Sequence, residues 1–119
     1  MARSEEDCLA HMLAAARRAT SLVENRGRND LDADDVLVLA LTRLLEILGE
    51  AARGVSDEKR SRHPEVPWSA MAATRDRLIH GYFAVDLDVV WQIIKHDLPP
   101  VVRSLNEMIP ADGEQGSDV

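Results

Sequence analysis

At 119 residues the chain has the length of one domain with a modest core, and its 45% apolar and 29% charged residues are ordinary for a globular protein. A net charge of −7 excludes a broad nucleic-acid coat, which needs many phosphate contacts, and a single cysteine excludes an internal disulfide, as suits a reducing compartment. Aromatics are only 3%, so the core has to be aliphatic, a bias toward helices over sheets.

The opening Met1-Ala2-Arg3-Ser4-Glu5-Glu6-Asp7 is acidic where a signal peptide would be basic and then apolar. The longest near-apolar run, Val36 to Leu48, is too short for a membrane span and is interrupted by Thr42, Arg43 and Glu46. A soluble, cytoplasmic protein is expected.

A first helix is predicted from about Ser4 to Glu24. Ser4 serves as N-cap, acids fill the first turn, and Leu9, Met12, Leu13, Ala16, Thr20 and Val23 recur at helical spacing. Cys8 reads as a small packed residue of that helix. Asn25 to Asp30 then ends it, with Gly27 free to take a left-handed cap. A second helix is predicted from near Asp32 to about Arg53. It is apolar on every side between Val36 and Leu48, which makes it either central or shared with a second chain. Ser56 to His63 holds one helical turn, and Pro64 and Pro67 force an extended connection.

Pro67 opens a third helix that carries Trp68, Met71, Ala72, Leu78 and Ile79 toward the core, with Arg75 on the same stripe. A final helix starts near Asp86. Pro99-Pro100 must kink or restart it, most easily with Asp97 as a new cap. Residues 1–109 thus read as a single domain, an all-α, antiparallel four-helix bundle with a short extra helical turn. Pro110 to Val119 reads as a disordered acidic tail.

Chemistry concentrates in Arg75-Asp76-Arg77-Leu78-Ile79-His80-Gly81-Tyr82, which puts two arginines, an acid, a histidine and the single tyrosine within eight residues. Lys59 to Tyr82 carries five Lys/Arg against two acids, whereas Phe83 to the end carries two against seven. A basic window in an acidic protein suits a small, defined anionic target or an acidic partner. On a straight helix Arg75 and His80 differ by about 140° in direction. Asp76 and His80, four apart, share a face, so the carboxylate can fix the imidazole tautomer and raise its pKa. Arg77, three residues before His80, also reaches toward it.

Blander readings stand beside this one. Arg75 can pair with Glu46 or Glu50 as a buried ion pair, His80 can be a helix C-terminal cation, and Tyr82 can be a core ring. Lys59, Arg60 and Arg62 form either a solvated turn or a hold on a nucleic-acid backbone. The histidines lack recognisable metal-ligand spacing, and no phosphate-cradling glycine loop, nucleophile elbow or dinucleotide fingerprint is present. No cofactor is expected.

The stretch from Arg75 to Tyr82 matches the Arg-x4-His-x-Tyr motif of HepT-like proteins in the HEPN superfamily. Leu48 to Ala52, His63 to Trp68, Tyr82 to Trp91 and Asp97 to Pro100 also resemble that family, so the likeness covers roughly residues 5 to 109. Asp76 fills a position where Asn or Asp is expected. The resemblance implies a homodimer whose two motifs meet in a cleft, and a metal-independent endoribonuclease acting as the toxin of a two-gene toxin–antitoxin pair. It also implies an antitoxin of the MntA type, a nucleotidyltransferase that attaches AMP to the motif tyrosine. Carried onto this chain, Arg75 and His80 are catalytic, Asp76 and Arg77 support them, and Tyr82 is the modification target. Lys59, Arg60 and Arg62 are candidates for RNA backbone contacts. Two further readings remain open: a non-catalytic helical dimer that binds a nucleotidyltransferase and a nucleotide, and a structural dimer built on an internal Arg75 ion pair.

Overall fold

Helix α1 (Glu5–Leu22) begins where the Asp7 amide donates to Ser4 Oγ at 3.0 Å, satisfying one of the amides a helix start leaves free. This computed structural model describes residues 4–80 and 84–109, with Ile79, His80 and Ala84 described by their backbone alone. The predicted acidic tail lies outside the described residues. Cys8, Leu9, Met12, Ala16 and Ala19 form the buried stripe of α1. Beyond its end Asn25, not Gly27, takes the left-handed conformation, at φ 62°. Asparagine tolerates that region because its short amide can bond locally. The Gly27 amide instead donates to Asp30 Oδ2 at 2.8 Å.

The second predicted helix is two helices. A short α2 (Asn29–Ala33) stops at Asp34, whose backbone is extended and whose carboxylate accepts from the Leu37 amide at 3.0 Å to start α3 (Asp35–Arg53). Leu37, Leu41, Leu45 and Leu48 face α1 and the core. Its outer face is not covered: Val36 and Leu39 are 75% and 69% exposed.

Helix α4 (Asp57–Arg62) is capped by Ser56. Arg60 folds back from it, donating from Nη2 to the Ala52 carbonyl at 2.8 Å and from Nε to the Val55 carbonyl at 3.1 Å. It thereby ties α4 to carbonyls at and just beyond the end of α3. Trp68 Nε1 donates to the His63 carbonyl at 2.9 Å and fixes the proline-flanked connection.

The third predicted helix also breaks, into α5 (Trp68–Ala72) and α6 (Thr74–Leu78). The chain then becomes extended, and β1 (Ile79–His80) pairs antiparallel with β2 (Ala84–Val85), Ile79 opposite Val85 and His80 opposite Ala84. This ribbon, which no strand signal announced, is too small to change the all-α class.

Asp86 caps α7 (Leu87–Gln92) by accepting from the Asp88 and Val89 amides. A π-helical turn, Ile93–Asp97, joins α7 to α8 (Leu98–Met108), and the Leu98 amide reaches back five residues to the Ile93 carbonyl. Pro99 and Pro100 lack amide protons, and the wider turn ahead of them accommodates the lost bonds. Asp97 does not cap α8 as expected. Its backbone is already helical, and its carboxylate faces Arg77.

Helices α1, α3 and α8 with the π turn enclose one aliphatic core, in which Met12, Leu41, Leu48, Met71, Ile94 and Leu105 are fully buried. Among the described residues no helix is long and apolar enough to cross a membrane.

Candidate functional site

The break between α5 and α6 is what aims Arg75. Thr74 is the one buried polar side chain among the described residues, and its Oγ1 donates to the Met71 carbonyl at 2.6 Å and the Ala70 carbonyl at 3.1 Å. Such back-bonding competes with the helical ladder and bends it. Gly49 of α3 lies against the same place: a Cβ there would stand 3.1 Å from the Met71 carbonyl oxygen. The lack of a side chain lets α3 run close under the break.

Arg75 follows Thr74 and opens into a cleft of about 600 Å³. Its walls are His11 from α1, Arg43, Glu46, Glu50 and Arg53 from α3, and Ala72 from α5. Arg75 is exposed, and among the described residues it makes no ion pair; the glutamates lie instead beside arginines of their own helix. Arg43 Nη1 is 3.5 Å from Glu46 Oε1, and Arg53 Nη1 is 3.9 Å from Glu50 Oε1. The reading of Arg75 as half of a buried pair with Glu46 or Glu50 is therefore corrected. Three guanidiniums and an imidazole against two carboxylates leave this cleft suited to an anion, within an acidic protein.

Arg77 faces elsewhere. Two residues along a helix turn the side chain by about 200°. Its Nη2 donates to Asp97 Oδ2 at 3.2 Å, in a separate groove of about 400 Å³ that also takes in Glu65, Pro67, His96 and Pro100. Asp76 is exposed. Because α6 stops at Leu78, His80 has extended backbone, and the four-residue helical spacing that put Asp76 and His80 on one face does not apply. The His80 side chain and Tyr82 lie outside the described residues.

None of Lys59, Arg60 and Arg62 lines the Arg75 cleft. Arg60 is committed to the end of α3, and Arg62 lies 3.7 Å from Glu58. The cleft residues not singled out from sequence are His11, Arg43 and Arg53. Arg43, Glu46, Glu50 and Arg53 recur at three- and four-residue steps, a polar stripe on an otherwise apolar helix. That pattern was available to read, whereas nothing in the sequence joined His11 to them. Among the described residues no three His, Cys, Asp or Glu side chains are grouped to hold a metal ion.

The sequence profile of the family described as ribonuclease HepT-like matches residues 12–108. A protein of Thermococcus cleftensis named a probable ribonuclease HepT is 37% identical over 99 residues, covering 83% of this chain and 90% of the relative. A provisionally named RNase of Caldanaerobacter subterraneus subsp. tengcongensis is 35% identical over 101 residues, covering 85% and 90%. A third relative, a provisionally named RNase of Methanocaldococcus jannaschii, is 32% identical over 97 residues, covering 76% and 80%. No solved structure is a significant match. With the profile spanning most of the described fold and the relatives nearly full length, the chain belongs to the ribonuclease HepT-like family.

Proposed function

We propose that this protein is an RNA endonuclease that cleaves phosphodiester bonds without a metal ion, using Arg75 and His80. The observation that carries the reading is the exposure of the Arg75 guanidinium in a cleft built by four helices. The ribonuclease names of its relatives support RNA as substrate.

The ribose 2′-hydroxyl supplies the nucleophile, so no activated water is required. As its oxygen attacks phosphorus, the bond to the 5′-oxygen breaks and a cyclic phosphate forms. His80 moves a proton, either from the attacking hydroxyl or to the leaving oxygen. Arg75 stabilises the charge that grows on the phosphorane oxygens, an interaction stronger in the transition state than in the ground state. Asp76 and Arg77 take supporting roles around them. Arg77 acts through Asp97, which links α6 to the turn before α8.

The protein acts as a homodimer and as the toxin of a toxin–antitoxin pair. The exposed Val36 and Leu39 on α3 support a covered face in the assembled state. A nucleotidyltransferase antitoxin of the MntA type silences it by attaching a nucleotide to the Tyr82 oxygen, which adds bulk and negative charge to the motif.

Purified protein is expected to cleave RNA in excess chelator, and Arg75→Ala and His80→Ala are each expected to lower the rate by at least ~100-fold. Cleavage at the wild-type rate by both variants would reject the assignment. Stable binding of a nucleotidyltransferase with no RNA cleavage would favour the non-catalytic helical dimer instead.

A further inference from the structure

We infer that Arg43 and Arg53 of α3 hold the RNA phosphates that flank the scissile one, so that the strand runs along the α3 wall of the cleft. The inference rests on the ribonuclease reading for the identity of its ligand. Arg43 and Arg53 share the cleft with Arg75, yet they come from a different helix and stand ten residues apart, about 15 Å along its axis. That span exceeds one nucleotide and matches a short single-stranded segment, with Arg75 entering the same cleft from α6. The basic run Lys59 to Arg62 has no place on this wall.

The side chains of Arg43 and Arg53 are 71% and 52% exposed, and among the described residues each has only one loose carboxylate contact, at 3.5 and 3.9 Å. Exposed pairs of this kind are weakly held, and a phosphate offers the guanidinium a two-pronged partner in their place. Glu46 and Glu50 then act as resident counterions. RNA has to displace them, which lowers affinity and keeps an acidic protein from holding nucleic acid indiscriminately. The two arginines bind and position; they take no part in bond making.

The test uses the full chain and a 2′-O-methyl RNA oligonucleotide, whose blocked nucleophile separates binding from cleavage, read by fluorescence anisotropy. Arg43→Gln/Arg53→Gln is expected to raise Kd at least tenfold on any sequence. It is also expected to flatten the slope of log K against log salt by about 1.4, two single-strand phosphate contacts. Glu46→Gln/Glu50→Gln is expected to tighten binding several-fold, a direction that a damaged fold does not mimic. On cleavable RNA the arginine variant is expected to lose through KM more than through kcat.

Unchanged affinity and salt slope in both double variants would overturn the inference. So would loss of the dimer with RNA affinity intact, which would make the cleft a seat for a second copy. If the wild type binds with these dependences but never cleaves, the ribonuclease reading fails and the phosphate-holding role stands. If it cleaves with Arg43 and Arg53 irrelevant, the reverse holds.

Discussion

Arg77 Nη2 stands 3.2 Å from Asp97 Oδ2, a contact that fastens the motif helix α6 to the π-helical turn before Pro99. Its neighbour two residues earlier, Arg75, has no such tie among the described residues and opens to the cleft. One basic motif therefore holds two arginines with opposite duties. The side chains of the Arg77–Asp97 pair are each about a third exposed, so the contact belongs with the modest surface pairs.

The two arginines are expected to separate in a paired measurement of melting and cleavage. Arg77→Ala should destabilise the fold by ~1 kcal/mol, a fall in Tm of about 4 °C, and Asp97→Asn should cost as much without adding to it. Arg75→Ala should leave Tm within about 2 °C while abolishing cleavage, since exposed substitutions rarely move stability by more than ~0.5 kcal/mol. A melting curve for Arg75→Ala as low as that of Arg77→Ala would make Arg75 a structural residue.

Gly54 ends α3 against Cys8 of α1, and a Cβ placed there would collide with Cys8 Sγ. Cys8 is a packed residue, 4% exposed. Gly54→Ala is expected to cost ~1–3 kcal/mol through overpacking. Cys8→Ala removes the obstructing sulfur, so the double variant should be more stable than the sum of the single losses predicts, by ~1 kcal/mol or more. Strict additivity in chemical denaturation would show that the two sites do not touch.

Glu5 Oε2 accepts from the Ser56 amide at 2.6 Å and joins the start of α1 to the start of α4. The Ser56 hydroxyl first and that amide bond second, with smaller help from Lys59 and Arg62, hold the carboxyl below the ordinary glutamate value of 4.5. A depressed folded-state pKa stabilises the fold fully above the unfolded value and loses that stabilisation as pH falls through the folded one. The Tm of the wild type should exceed that of Glu5→Gln above about pH 4.5, and the gap should close as acid protonates Glu5 in the folded state. A gap that stays constant from neutral pH into acid would show that the carboxylate charge plays no part.

Much of the helical plan was legible because its causes are local. Ser4 before three acids caps α1, and Asp86 before an apolar run caps α7. The step of three and four between leucines puts Leu37, Leu41, Leu45 and Leu48 inside. The low aromatic content likewise leads to a core of aliphatic side chains. The breaks were harder to see. Asp34 interrupts the predicted second helix by capping from an extended backbone, and Thr74 bends α5 away from α6 by bonding two carbonyls within the preceding turn. A side-chain oxygen that competes with the backbone wins or loses by margins of about 1 kcal/mol, which propensity does not resolve.

By itself the sequence determined the class of fold, through periodicity and caps, and the family, through resemblance, and it marked the short run of Arg, Asp, His and Tyr proposed for the chemistry, because these are properties of neighbours along the chain. Only the tertiary structure decided that Arg75 and Arg77 part company, that His80 leaves the helix into extended backbone, and that His11, Arg43 and Arg53 gather around Arg75. Those outcomes depend on which helix lies beside which, and on a glycine that lets α3 come within reach of the broken turn. Contacts between residues far apart in sequence are settled by packing, where no local pattern records them.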